Sequence, residues 1–328
     1  FFAVATVLAA TSAYAITIET VPVGNPGNAG ELSGYGSGGL GPDAVVGAVD
    51  YAYNIGTYEV TNAQYVEFLN AVAARDPYGL YHTWMWSHDY GCKIQRLGTS
   101  GSYTYSVAAD RANRAVNYVS WYDAARFSNW RTTGDTESGV YTFSGATTVT
   151  DILDHEAAAT LGKTAWFIPT EDEWYKAAYH KNNGVTGNYF DYPTGNDGFP
   201  SNDLISPDPG NNANFDQSGY GYTIGSPYYT TEVGEFENSE SPYGTFDQGG
   251  NVFEWNETLV SGLWRGLRGG GCGSSSPTLE ASFRSYGDPP SEGIAVGFRV
   301  ASIPEPGYFG LLAGFALTTL LRRGRRHA

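Results

Sequence analysis

Apolar positions recur at helical spacing in three places, and each is opened by a hydroxyl residue with an acid or amide three positions later. "EVTNAQYVEFLNAV" carries Thr61 and Gln64, "VSWYDAARFSNW" carries Ser120 and Asp123, and "IPTEDEWYKAAYHK" carries Thr170 and Glu173. That reciprocal arrangement satisfies two orphan backbone donors at a helix start. The first helix is expected to turn Tyr65, Phe68, Leu69 and Val72 to the core, the second Ala124, Phe127 and Trp130, the third Trp174, Ala177 and Ala178. Elsewhere the apolar runs shorten. "AWFIPT", "GLRGGG" and "GFRVAS" read as short strands closed by turn residues. From Asn182 to Thr245 nearly every position is a turn signal. A loop of that length is uncommon in a compact domain, so packing onto aromatics or a bound ion must hold it. The pattern predicts a loop-rich α+β domain with little regular structure and no internal repeat.

The ends of the chain differ from the middle. Residues 1–15 are apolar and uncharged and finish in Ala13-Tyr14-Ala15, a signal-peptide core and cleavage site without a basic front. At the other end Pro304-Glu305-Pro306 precedes an apolar segment, 307–321, and then Arg322, Arg323, Arg325 and Arg326. The apolar segment is shorter than the roughly 20 residues a comfortable span requires. The arginines would hold its end on the cytoplasmic side. This tail resembles a PEP-CTERM sorting signal, which implies processing or re-anchoring by export machinery, with transient membrane anchoring through 307–321. The expected organisation is a leader at 1–15, a body at 16–302 and a sorting segment at 303–328, placing the body at the cell surface, on the outer membrane or outside the cell.

Charge agrees with that location. The net charge is −16, and four of the 18 basic residues lie in the tail, so the body is more acidic still. Binding to nucleic-acid phosphates is excluded. Gly (43) and Tyr (25) are abundant, the composition of an aromatic-rich, loop-rich exported domain.

Four motifs then occur in order: "YNIGTYEVTNAQYVEFLNA", "NYVSWYDAARFSNW", "FIPTEDEWYKAAY" and "YGTFDQGGNVFEWNET", followed by "LRGGGCGSS" and "GFRVAS". Together they resemble the formylglycine-generating enzyme, or sulfatase-modifying factor, family over about Ile16 to Ser302. The resemblance implies a variant of the C-type lectin fold. It also implies copper chemistry, with two thiolates after a Gly-Gly-Ser-aromatic turn acting as soft ligands for cuprous ion. Here Cys272 takes the aromatic position of that turn, and the two cysteine positions fall on Ser274 and Leu279. Copper oxidation of a sulfatase cysteine is therefore not expected. A second branch of the family holds iron with three histidines, partly from an added helical domain. This chain has no such domain, and among His82, His88, His155, His180 and His327 only His82 and His88 could meet on a loop.

The family's calcium site maps more fully. Its ligand positions fall on Asp247, Gly250, Val252 and Glu254, a carboxylate pair plus backbone carbonyls, which suits a hard cation. Calcium is therefore the expected cofactor. A second calcium site maps less cleanly, onto Asn214 and Phe215, with Asp216 nearby.

In an exported chain, two cysteines favour one disulfide, Cys92 to Cys272, worth roughly 4 to 5 kcal/mol in the chain-entropy model. A redox pair or a free thiol is the alternative. Two aromatic stretches remain. "YGLYHTWMWSHDYG" holds Trp84 and Trp86, and "GYGYTIGSPYY" holds Tyr220 and Tyr222. Exposed, these rings would stack on sugars or a protein partner; buried, they would cover the core. The leading expectation is an exported binding or structural protein that uses this fold without copper cysteines, with an extracellular polysaccharide or a surface protein as partner. The alternatives are a formylglycine-generating oxidoreductase and a sulfatase-binding partner.

Overall fold

The structure, a computed structural model, describes residues 16–217 and 221–304. The expected leader (1–15), the tail from 305 and Tyr220 lie outside the described residues.

All three helices form where the caps place them. They are α1 (Asn62–Val72), α3 (Trp121–Thr133) and α4 (Glu171–Tyr179), and each begins with a complete capping box. A fourth, short helix, α2, spans Trp84–Ser87. In α1 Tyr65, Phe68 and Leu69 are buried, and in α3 Ala124 and Phe127 are. Val72 and Trp130 pack at the margin of the same core. The third helix departs from an amphipathic pattern, because Glu171, Glu173 and Lys176 are buried along with Trp174, Ala177 and Ala178. Each of these polar groups has a partner, which is the condition for burying charge. Glu171 receives Arg268 and Arg284, Glu173 receives His155, and the Lys176 ammonium donates to the carbonyl of Asn25 at 2.9 Å.

Two four-stranded sheets frame the body. The first comprises β1 (Thr20–Val23), β2 (Tyr53–Gly56), β3 (Ala165–Phe167) and β8 (Ala301–Ile303), ordered β1-β2-β8-β3 with every pairing antiparallel. The second comprises β4 (Phe253–Val260), β5 (Trp264–Arg268), β6 (Ser285–Gly287) and β7 (Val296–Gly297), ordered β6-β5-β4-β7. Only the β4–β7 pair is parallel within that sheet. The three sequence-predicted strand motifs therefore supply β3, β5 and the β7–β8 segment.

One buried ion pair ties the two sheets together. The Arg299 guanidinium, between β7 and β8, donates through Nε to Glu254 Oε2 (2.6 Å) and through Nη2 to Oε1 (2.7 Å). It also donates to the carbonyls of Gly56 (2.9 Å) and Phe246 (2.8 Å). Trp174 Nε1 donates to Glu254 Oε2 at 2.7 Å, which brings α4 into the same network. Arg299 and Glu254 are both fully buried.

The long loop is held by packing and by a carboxylate. Asp208 accepts from the backbone N–H of Gly210 (2.9 Å) and Asn238 (3.0 Å), from the Ser239 hydroxyl (2.7 Å) and from the Asn212 amide. Burial works against the charge, yet these donors hold the Asp208 carboxyl below its usual value. Tyr192, Ala213 and Phe215 pack against Leu279 beneath the loop.

His155 gives a second buried charge. Its Nδ1 lies 3.0 Å from Glu173 and its Nε2 3.2 Å from Glu257, with the ring stacked on Phe167. Burial alone would lower its pKa, but the two carboxylates outweigh that and raise it to about 10. Its stabilising contribution is complete below the ordinary histidine range and is lost as pH rises toward 10. Urea unfolding at pH 7 and pH 10.5 should show a loss of stability that is smaller in His155→Gln. In the same assay Arg299→Met should cost about 3–5 kcal/mol, because it strands the Glu254 carboxylate.

Candidate functional site

The two aromatic stretches converge. In α2 Met85 points into the core while Trp84 and Trp86 face solvent, Trp84 being 53% exposed. The chain then doubles back: the N–H of Lys93 donates to the carbonyl of Met85, and a Cβ on Gly91 would lie 2.3 Å from the carbonyl oxygen of Trp84. Only glycine permits that approach. The Trp84 indole contacts His82 and His88, and His88 packs on Tyr90. Tyr90 stacks on Tyr229 with centroids 3.7 Å apart, and its hydroxyl bonds that of Tyr222 at 2.7 Å. Tyr222, 40% exposed, packs edge-on to Tyr229. The result is a continuous ridge of rings running Trp84, His88, Tyr90, Tyr222.

Rigid polar contacts hold both halves. Asn117 Nδ2 donates to the carbonyls of Tyr90 and Ile294, both at 2.7 Å, while its Oδ1 accepts from the N–H of Cys92. On the other half, Tyr228 lies between two guanidinium groups, with Arg111 4.6 Å and Arg114 4.1 Å from its ring centroid. Arg111 also donates to the carbonyl of Pro227, and Asn214 Nδ2 donates to the carbonyl of Tyr229. Trp84 and Tyr222 thus lie at the two ends of one chain of rings, and Trp86 is exposed on the same short helix as Trp84. The stretches named the region, but Tyr90, Tyr229 and Asn117 come from the structure. Which rings of the first stretch turn outward is settled by Met85 and Tyr81 taking the core positions.

His82 and His88 do meet, but on Tyr118 rather than on an ion. His82 stacks on that ring, His88 packs edge-on to it, and His82 Nε2 faces Glu292 Oε2 at 3.5 Å.

The glycine-rich turn passes under the ridge, and a Cβ on Gly273 would lie 3.8 Å from the Tyr222 ring. Ser274 Oγ accepts from the N–H of Gly271 at 3.0 Å and serves the turn itself. Leu279 is completely buried with Tyr192, Ala213 and Phe215. The residues at these positions do not fit copper, since neither supplies a thiolate. The two cysteines do not replace them. Burial pushes the Cys92 thiol up to about 11 and the Cys272 thiol up to about 12, which disfavours their thiolate forms at neutral pH.

The expected disulfide is corrected. Cys92 and Cys272 are both buried and free. Each is fixed by its own framework. Cys92 is held on Asn117, and the N–H of Cys272 donates to the carbonyl of Asn251.

Nor does the expected calcium set fit as placed. Both Glu254 oxygens are engaged by Arg299 and Trp174, so a divalent cation there would face a guanidinium. Asp247 Oδ2 accepts from the N–H of Gly234 at 2.6 Å. Its carboxyl is pushed up to about 6 by burial, then by neighbouring Glu254 and Glu235. Glu59, also close by, is raised well above the carboxylate range by burial and by Asp247. Its Oε2 has no partner, while Oε1 accepts from Asn251. Three carboxyl groups, those of Asp247, Glu59 and Glu254, thus surround the one Arg299 guanidinium. Asn214 and Gly250, expected in separate sites, form one backbone bridge, and the Asn214 carbonyl accepts from the N–H of Asn251. Phe215 packs beside Leu279, and Val252 is buried. Among the described residues no three His, Cys, Asp or Glu side chains group as a metal site.

Comparison with known proteins agrees with this geometry. A sequence family described as the sulfatase-modifying factor enzyme 1-like domain matches residues 29–303. No curated protein sequence matches the chain. Among solved structures, Treponema denticola variable protein 1 superposes with a TM-score of 0.53 at 20% identity, covering 89% of this chain and 98% of that one. CarF superposes with a TM-score of 0.50 at 17% identity, covering 87% and 98%. At those identities the likeness is one of fold.

The charge arrangement around Asp247 yields a test. A carboxyl raised by burial costs stability above its folded pKa and nothing well below it. Asp247→Asn keeps the acceptor for Gly234 and tolerates the positive φ of 59°. It should stabilise by about 1–2 kcal/mol at pH 7.5, with the gain vanishing toward pH 4. Chelation with EDTA should leave the melting temperature unchanged. Destabilisation by Asp247→Asn together with a fall in Tm on chelation would restore the ion.

Proposed function

The chain belongs to the sulfatase-modifying factor enzyme 1-like family, and from that membership we propose a ligand-binding domain that retains the family fold and has lost its copper chemistry. The observation that carries the reading is the pairing of a filled catalytic position with an exposed ring surface that meets the same glycine-rich turn at Gly273. Leu279 closes the space where a thiolate would stand, and the Trp84–Tyr222 ridge crosses the same turn.

The ligand is an extended neutral polysaccharide. Successive rings with a hydroxyl or ring nitrogen at the edge offer apolar faces for sugar C–H groups and polar tips for their hydroxyls. The net charge of −16 disfavours anionic polymers. The leader-like residues 1–15 and the apolar, arginine-ended tail support an exported, surface-tethered location, with sorting machinery acting at the C-terminus.

Affinity electrophoresis in gels containing galactomannan or hydroxyethyl cellulose tests the binding. The native chain should be retarded, and Trp84→Ala or Tyr222→Ala should weaken binding about tenfold each, or 1.4 kcal/mol, with near-ultraviolet circular dichroism unchanged. Absence of retardation in both gels overturns the ligand class. Conversion of a cysteine-containing sulfatase peptide to the aldehyde, with cuprous copper and oxygen supplied, overturns the loss of chemistry.

A further inference from the structure

A second exposed apolar surface lies on the β4–β5 hairpin, away from the ring ridge. Residues 258–264, "TLVSGLW", contain no charge, although 16% of the chain is charged. Ser261 and Gly262 turn the chain with φ values of 53° and 77°, so the apolar residues are carried on a projecting tip. Leu263 is 76% exposed and Leu259 54%. Trp264, the neighbour of Leu263 and opposite Val260, packs against Tyr286 on the adjoining strand, their ring centroids 5.9 Å apart.

The charges at the base of the hairpin turn inward. Glu257 pairs with His155, and the Arg265 guanidinium covers the Trp121 ring at 3.9 Å while donating to the carbonyl of Glu257. Along β5 from the tip the order is Leu263, then Trp264 opposite Val260, then Arg265 opposite Leu259. That is the order a bilayer surface presents from acyl boundary through headgroups to water.

We propose that this tip docks on a zwitterionic lipid surface, the membrane to which the C-terminal segment tethers the domain. The last strand, β8, ends near the base of this hairpin. Ile303 pairs with Ala165 at the start of β3, and four residues on, the carbonyl of Pro169 accepts from the N–H of Glu257. At about 3.3 Å per residue the chain exit lies roughly 13 Å from the base of the hairpin. The apolar segment 307–321 follows within three residues of Pro304. A membrane held at that point keeps the tip within reach at high effective concentration. With no basic residue on the tip, zwitterionic headgroups suit it better than anionic ones. The inference rests on the tethering reading of the tail, and its test separates the two.

The full chain is mixed with phosphatidylcholine vesicles carrying nitroxide-labelled phosphatidylcholine, and both sedimentation and tryptophan emission are read. The chain should co-sediment, and part of its emission should be quenched. Trp264→Phe should remove that quenched part without changing sedimentation, and Leu263→Ser should reduce it at least twofold. Sedimentation with quenching that Trp264→Phe leaves intact overturns the tip contact and spares the tether. Loss of sedimentation overturns the tether and the proposal with it. A change of solution mass caused by Leu263→Ser without lipid assigns the tip to a second copy of the chain and overturns the membrane reading.

Discussion

The Arg299–Glu254 pair is the constraint on which the rest of the structure depends. It joins β4, the β7–β8 segment, the end of β2 and, through Trp174, helix α4. Guanidinium cannot escape burial by losing its proton, so every donor must find an acceptor. Glu254 supplies two acceptor atoms and backbone carbonyls supply others. The geometry that satisfies one arginine therefore fixes the positions of several loops at once, in a domain where regular structure is sparse.

That arrangement explains how irregular segments can present a defined surface. The loop holding Tyr229 is fastened by Arg111, Arg114 and Asn214, and Tyr222 by a two-residue ladder with Asp216 and Gln217. The segment holding Trp84 and Tyr90 is fastened by Asn117 and by a close approach at Gly91. Further along, the Asp208 carboxylate gathers donors that a missing helix or strand would otherwise have satisfied. Asn117 and Asp208 each serve several backbone groups, which keeps the cost of burying loop backbone low.

What could be read in the sequence follows from how far apart the interacting groups are. The three capping boxes link residues three positions apart, and all were legible. The aromatic stretches were legible as regions, while the exposure of Trp84 against the burial of Met85 depends on what α2 packs against. The partner of Glu254 lies 45 positions away in "GFRVAS", which reads only as a strand. Seen alone, Glu254 is a candidate cation ligand; seen with Arg299, it is already neutralised. The cysteines fail for the same reason, because an even count favours pairing but says nothing of the frameworks that hold Cys92 and Cys272 separately.

Leu279 has a consequence for the history of the fold. Regaining two thiols requires changes at Ser274 and at Leu279, and the two are not equivalent. The serine exchange is nearly isosteric at a turn. The leucine exchange would open a void against Tyr192, Ala213 and Phe215, and voids of that kind in a close-packed interior cost stability before any new chemistry appears. A route to a two-thiol site at these positions therefore crosses a less stable intermediate. A packed side chain, more than a missing ligand, makes such a site hard to install here.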